Sequence, residues 1–575
     1  MSDSELSDSD DGSHRRDEVV SVFISPPSEH GEDTPEDSGD ETHVDIGNVP
    51  GSQLNAEASC SSKCSKDTEA QPAPRGSDKK RRKIREWRVD DFPSITDEVV
   101  YPYRPSSADV PRQPHEIFEL FVDMTVIDLL CKHTITYAIQ KGDHSFTVNG
   151  NEMRVFIGIL LASGYIQVPR RRMYWSNDSD VRNEMISRAM RRNRFDEIMK
   201  YFHTVDNLQI QKGDKFAKIR PLLDLLNERF MDFGSVFGPS VVSIDESMVP
   251  YFGRHSSKQF IRGKPIRWGY KNWVAAAPNG YAFLIRVYQG KESSAPVDAY
   301  KDLGFGGSVV MHFLDEFETK YPVNKFFIYV DNYFTSFRLI EAVGDRGHFL
   351  TGTVRSNRVE NCKFQSIKHF SKTARGTEEH FLDETGKLIV VRWNDNGVVT
   401  MASNAHGVNP MLRATRFSVR ERKKIKIPMP AVINRYNKYM GGVDRMDQNV
   451  AYYRVGIRGK KWYFPMIAYL LNVSVQNAWI FASKGGYKGD LLTFTREIVH
   501  MYLQSYGQPA SNPERQETMS RGMVPQQSRF DGSGHHAEST GQRRRCVVCR
   551  SQTVHQCRKC KVHLHVKCFG AFHTR

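Results

Sequence analysis

The chain has 575 residues, a formal charge of +14 and 26% charged side chains. That length calls for several domains, and the charge is divided: residues 1–70 carry −14 and the remainder +28. An acidic tail on a strongly basic body fits a polyanion-binding protein whose tail either competes with the ligand or simply solubilises the chain. The opening "MSDSELSDSDDGS" is acidic where a secretory leader is basic and then apolar. Of nine cysteines, five fall within residues 546–568, which argues against a disulfide framework and for a reducing compartment with one local metal module.

Residues 1–110 are rich in Ser, Asp, Glu, Pro and Gly, lack apolar runs and are expected to be disordered. Near the end of this tail "KKRRKIREWR" (Lys79–Arg88) reads as a nuclear-localisation or nucleic-acid patch, or as a solvated charge run. Over 111–240, apolar residues recur at three- and four-residue spacing, as in "EIFELFVDMTVIDLLCKHTITYAI", and predict a helical domain. The texture changes at Ser240. "VVSIDESMV" predicts a strand, "RWGYKNWVAAA" and "YAFLIRVYQ" a hairpin about Gly280, and "SVVMHFLDEFETKY" an amphipathic helix. "KFFIYVD" is a continuous apolar run, as in a buried parallel strand, followed by a helix in "SFRLIEAVGDRG" and a strand in "HFLTGTV".

Three strands, helix, strand, helix, strand is the order of an α/β, ribonuclease-H-like core, here over 241–352 and resuming at 428–447. Residues 353–427 are expected to form an insertion domain with a hairpin turning at Asn396-Gly397, and 448–505 a second helical part. Within it Trp462–Ser483 carries no charge, but Pro465, Asn472, Gln476 and Asn477 point to a buried helix, not a membrane span. A polar linker (506–542) leads to a cysteine-rich module (543–575).

The chemistry lies in aspartates and cysteines. Asp245 ends or interrupts the first strand, and Asp331 ends the apolar one. In a ribonuclease-H-like sheet these strands are parallel neighbours, so their carboxylates meet at one edge, at a cost unless a cation sits between them. "YNKYMGGVDRMDQ" adds Asp444 and Asp447, three apart and on one helix face. Hard oxygen ligands of this kind suit Mg²⁺ or Mn²⁺ and a phosphodiester displacement. A single aspartate at a strand end is more often a cap; the combination carries the reading. Around it stand Arg254, Lys258, Arg262, Lys264, Arg267 and Lys271, interleaved with aromatics, and later Arg458, Lys460, Lys461 and Trp462. These read as grips for nucleic-acid phosphates and bases, or as solvated charges over core aromatics. No GxxxxGK[ST] loop is present, so no nucleotide cofactor is expected. At the C-terminus Cys546, Cys549, Cys557, Cys560, His565, Cys568 and His573 have zinc-ligand spacing, with His563 or His555 as an eighth ligand. Interleaving suggests a two-zinc cross-brace, with Cys546, Cys549, His565 and Cys568 on one ion.

"SIDESMVPYFGRHSSKQFIRGKPIRWGYK", "YVDNYFTS", "GTVRSNR" and "YNKYMGGVDRMDQ" closely resemble the piggyBac transposase family and its transposable element-derived vertebrate relatives. The resemblance covers roughly residues 110–575. It implies a nuclear, homodimeric, DDD/DDE-type cut-and-paste DNA transposase that binds double-stranded DNA. Asp245, Asp331 and Asp444 would be the catalytic triad, Asp447 an additional catalytic carboxylate, and Arg355 and Arg358 target-DNA contacts. It implies excision through hairpins at TTAA, integration at TTAA, helical dimerisation and DNA binding, and a zinc module that reads terminal repeats. Two alternatives stay open: a domesticated, catalytically silent DNA- or chromatin-binding protein on the same scaffold, and a nuclease that cuts without integrating. The module could also be a RING- or PHD-like protein-binding finger.

Overall fold

The computed structural model describes residues 22–24, 58–60, 85–92, 95, 113–210, 213–237, 240–261, 266–290, 299–418, 421–507, 529–530 and 534–574. They divide into two units, Met1–Gly507 and Gln508–Arg575. In the first, Val22–Ile24 (β1) pairs antiparallel with Ala58–Cys60 (β2), and Trp87–Arg88 (β3) joins a larger sheet.

The helical part begins with Pro114–Phe121 (α1), Met124–Gln140 (α2) and Gly150–Tyr165 (α3). What reads as one periodic run is two helices, because the Asp123 carboxylate accepts the N–H of Val126 (3.0 Å) and starts a new one. Glu184–Ala189 (α4), Arg192–Tyr201 (α5) and Arg220–Gly234 (α6) follow.

Strands Val241–Pro250 (β4), Gln259–Phe260 (β5), Trp268–Ala276 (β6) and Ala282–Val287 (β7) precede helix Gly304–Lys320 (α7). Then come Phe327–Val330 (β8), Phe337–Asp345 (α8) and Phe349–Thr353 (β9). β4 is antiparallel to β6 and β6 to β7, whereas β4, β8 and β9 are parallel. The lateral order is therefore β7-β6-β4-β8-β9. Every residue of β8 is buried, as its unbroken apolar run requires of a central parallel strand.

The insertion begins with the short helix Ile367–Phe370 (α9). Its strands Glu378–Asp383 (β10), Ile389–Asn394 (β11) and Val398–Ser403 (β12) continue the same sheet, because β12 pairs with β9. Leu412–Ser418 (β13) and Lys423–Met429 (β14) form a separate hairpin. The chain returns through Ala431–Tyr439 (α10), Gly442–Tyr452 (α11), Phe464–Lys484 (α12) and Leu491–Ser505 (α13). α1 packs on α12 and α13, and α3 on α13, so the two helical parts form one layer. The amides of α12 are used inside the protein. Gln476 donates to the Gly280 carbonyl (3.0 Å), and Asn477 both donates to and accepts from Ala282. Among the described residues no helix is long and apolar enough to cross a membrane.

The expectation of disorder over 1–110 does not hold for residues 85–92 and 95. Arg85 bonds Glu341 (2.7 Å), Glu360 (3.1 Å) and the buried Asp383 (3.2 Å). Trp87 stands edge-on to Phe337 and donates to the Glu360 carbonyl. Asp91 accepts the N–H groups of Val408 (2.7 Å) and Asn409 (3.0 Å) and the Asn409 side-chain amide (2.8 Å). A buried carboxylate such as Asp383 needs a cation, and the basic run supplies it. Lys79–Ile84 lie outside the described residues, but Arg85 is spent on the fold.

Burial alone would raise the pKa of Asp91; the N–H groups of Val408, Asn409 and Phe92 outweigh it and hold the carboxyl below the ordinary aspartate value. A depressed carboxyl stabilises the fold above its unfolded pKa, so this contribution is complete above about pH 4 and is lost as pH falls below it. Asp91→Ala should cost about 2 kcal/mol at pH 7 in thermal melts. The gap to wild type should narrow as pH drops below about 4.

Candidate active site and metal-binding module

β4 and β8 run in parallel register with Ile244 opposite Val330, so Asp245 and Asp331 each follow a paired residue at the same level of the sheet. β8 ends there. The Asp245 Oδ1 accepts the N–H of Glu246 (2.8 Å) and the Asp331 Oδ1 that of Tyr333 (2.9 Å). Ser243, Asp245 and Ser247 share one face of β4, and α11 packs on β4 and β6. Two contacts bracket Asp245. At Gly442 a Cβ would stand 2.5 Å from both Ser243 Oγ and the Ala277 carbonyl oxygen. At the other end the Ser247 hydroxyl donates to Asp447 Oδ1 (2.6 Å) and lies 3.0 Å from the Tyr469 hydroxyl. Asp444 comes from the helix between these contacts and is exposed.

The Tyr436 side chain feels the charge of all three aspartates. Burial first, then the charges of Asp331, Asp245 and Asp444, raise its phenol above the ordinary tyrosine value, against a hydrogen bond with Thr353. Asp447 acts on a different group: with burial, it raises the Tyr469 phenol. The four carboxylates thus divide: the charges of three act on Tyr436, and the fourth is bonded into a buried hydroxyl network.

The expected nucleic-acid grips also divide. Arg254, Arg267, Arg355, Arg458 and Lys460 are exposed; Arg262 and Lys264 lie outside the described residues. Lys258 reaches the Phe252 carbonyl (3.2 Å) and lies over the Trp268 ring. Lys271, Lys461 and Trp462 are drawn inward. Lys271 pairs with Glu246 at 2.6 Å. Trp462 stacks on His255, with ring centroids 4.0 Å apart. Lys461 donates to the Phe202 carbonyl (2.9 Å), and burial, with the charges of Lys218 and Lys141, lowers it to about 7. A lysine so placed is a poor phosphate ligand at neutral pH. Arg358 donates to the carbonyls of Asn332 (3.1 Å) and Thr335 (3.0 Å), and Arg355 to Asn332 Oδ1 (3.0 Å), so both hold the loop after Asp331.

In the second unit Ala537–Arg545 (β15) pairs with Gln552–Cys557 (β16), and Val566–His573 (α14) follows. Among the described residues two sets bring four ligand atoms within 4.8 Å of one another: Cys546, Cys549, His565 and Cys568, and His535, Cys557, Cys560 and His573. The first is the expected set. In the second the fourth member is His535, and neither His563 nor His555, which lie outside both sets. His535 Nδ1 is 3.5 Å from Cys557 Sγ and 3.4 Å from Cys560 Sγ. Soft sulfur and imidazole donors in sets of four can hold zinc.

A family model described as Transposase IS4 matches residues 113–479. The human PiggyBac transposable element-derived protein 3 is 38% identical over 97% of this chain and 96% of its own length. The chain belongs to the piggyBac transposase family. Human PiggyBac transposable element-derived protein 2 is 35% identical over 96% of this chain and 93% of its own. Among solved structures, the cryo-EM structure of the piggyBac transposase synaptic complex with hairpin DNA is similar at a TM-score of 0.55. It covers 80% of this chain and 96% of that one at 19% identity, a likeness of fold.

For this piggyBac-family chain, Gly442→Ala should push α11 off the sheet and cost about 1–3 kcal/mol. Gly441→Ala, where an added Cβ meets nothing within 4 Å, should cost less than about 1 kcal/mol; paired thermal melts test this. Elemental analysis of the full chain should give about two zinc per molecule, falling to about one in His535→Ala and unchanged in His555→Ala and His563→Ala.

Proposed function

We propose that the chain is a nuclear, homodimeric cut-and-paste DNA transposase whose ribonuclease-H-like core acts through Asp245, Asp331 and Asp444. The observation that carries the reading is the parallel register of β4 and β8: Asp331 follows the last residue of β8, and Asp245, which neither ends nor interrupts β4 but lies within it, stands at the same level, beneath the helix bearing Asp444. The donor set is all carboxylate oxygen, which fits Mg²⁺ or Mn²⁺. When bound, such ions supply Lewis-acid activation for a phosphodiester displacement. The chain's own part is to hold the carboxylates on a rigid sheet edge, to fix the loop after Asp331 through Arg355 and Arg358, and to present exposed Arg254, Arg267, Arg458 and Lys460 to phosphates. The exposed face of Arg355 leaves it available to target DNA as well. We take the reaction to be the family's: strand nicking, attack of the freed 3′-hydroxyl on the opposite strand to give a hairpin at TTAA, reopening, and attack on a TTAA target. In each step one P–O bond forms as another breaks, so no nucleotide is needed. Asp447, bonded to Ser247, is an anchor of α11 more than a member of the catalytic set. The C-terminal module is proposed to bind terminal repeats, on the strength of its nine basic residues and no acid over 541–575.

A plasmid excision assay tests this, with a donor carrying the repeats that flank the gene. Wild type should give scarless TTAA repair. Asp245→Asn, Asp331→Asn and Asp444→Asn should each lower it by about 10³-fold or more, and Asp447→Asn by less. No excision, with specific repeat binding in a mobility-shift assay, would support the silent DNA-binding alternative.

A further inference from the structure

Lys271 stands in a basic, aromatic stretch, yet its side chain is only 13% exposed and its partner Glu246 19%. Its Nζ lies 4.0 Å from the ring centroid of Trp273, 5.3 Å from that of Tyr333 and 5.7 Å from that of Tyr288. A carboxylate and three aromatic faces satisfy a compact ammonium and leave little for a phosphate. Register places Glu246 opposite Trp273 and Met248 opposite Lys271, so the cage occupies one face of the sheet and Asp245 the other. The cage touches both aspartates through the backbone. Glu246 follows Asp245, and its N–H holds the Asp245 carboxylate. Tyr333 stacks on Trp273 (centroids 5.5 Å, planes 22° apart), and its N–H holds the Asp331 carboxylate. Beyond Val330 there is no β8 left to fix this loop; the stacked ring does so from the far face.

We propose that Lys271 is a positioning residue: with Glu246, Trp273 and Tyr333 it clamps the two peptide N–H groups that aim Asp245 and Asp331, and it does not bind DNA. The inference rests on the triad reading above. It assigns to the sheet's far face the work of fixing the edge on which the carboxylates are carried.

The test uses the full chain, a linear duplex bearing the flanking terminal repeat, and MnCl₂. With no divalent metal added, the affinity of Lys271→Met for the duplex should keep the wild-type dependence on salt; loss of a phosphate contact would flatten the slope of log K against log[salt] by about 0.9. The Mn²⁺ site is the binding seen by electron paramagnetic resonance in wild type and removed in Asp245→Asn. Its affinity should fall by about 10-fold in Lys271→Met and in Tyr333→Ala, which removes the stacked ring without stranding a buried charge. Lys271→Met with Glu246→Gln should fall no further than the worse single variant, as groups acting as one unit do. An unchanged Mn²⁺ affinity in both single variants, or a salt slope flattened by about one contact, overturns the clamp while leaving the triad intact. If wild type has no Mn²⁺ site sensitive to Asp245→Asn, the triad reading falls and the clamp with it.

Discussion

Parallel pairing of Val241–Ile244 with Phe327–Val330 is the constraint on which the rest of the site depends. A parallel pair needs a crossover and cover on both faces, and here the crossover carries β6, β7 and α7. The pairing stops where the aspartates begin, so the carboxylates sit at the first level at which β4 has lost its parallel neighbour. Carboxylates placed there have a stiff frame beneath them. Shifting the register by one residue would turn every side chain of one strand to the opposite face and part the two aspartates.

The other elements serve that frame. α11 is fixed at Gly442 by close backbone approach and at Asp447 by a hydrogen bond to Ser247, so Asp444 has little freedom along β4. The β6–β7 turn is gripped by Gln476 and by Arg445, which donates to the Pro278 carbonyl. The polar residues of α12 therefore tie the helical layer to the sheet, and a helix that looks greasy in sequence is a connector. Arginines near Asp331 work in the same sense, with guanidinium groups spread over main-chain carbonyls.

Much of this was legible in the sequence because it rests on local patterns. The run "FFIYVD" announced a buried parallel strand and its terminal acid, and the turn at Gly280, where φ is +97°, announced a hairpin. What was not legible depends on partners distant in the chain. Arg85 and Asp91 are polar residues in polar surroundings, and nothing local ties them to Asp383 or Val408. Lys271, Lys461 and Trp462 look like an exposed grip because alternating basic and aromatic residues make the same pattern whether they face water or stack on one another. His535 lies upstream of Cys546 in "DGSGHHAEST", outside any cysteine spacing. Tyr436 stands in the same stretch as Asp444, and a tyrosine one helix before a candidate site carboxylate was a signal that could have been read.

The docking of residues 85–92 also has a bearing on how the protein is made. Asp91 bonds a residue 318 positions later. A ribosome adding about 5–20 residues per second needs roughly 15–60 s to cover that distance. Until Glu341, Glu360 and Asp383 are made, Arg85 has no partner to bind and emerges as an unpaired cation on the nascent chain. The helical layer waits longer still, since α1 and α3 pack against α13, close to residue 500. The sheet can assemble before the helical layer, and α1 and α3, though made early, are among the last elements of this unit to find their places.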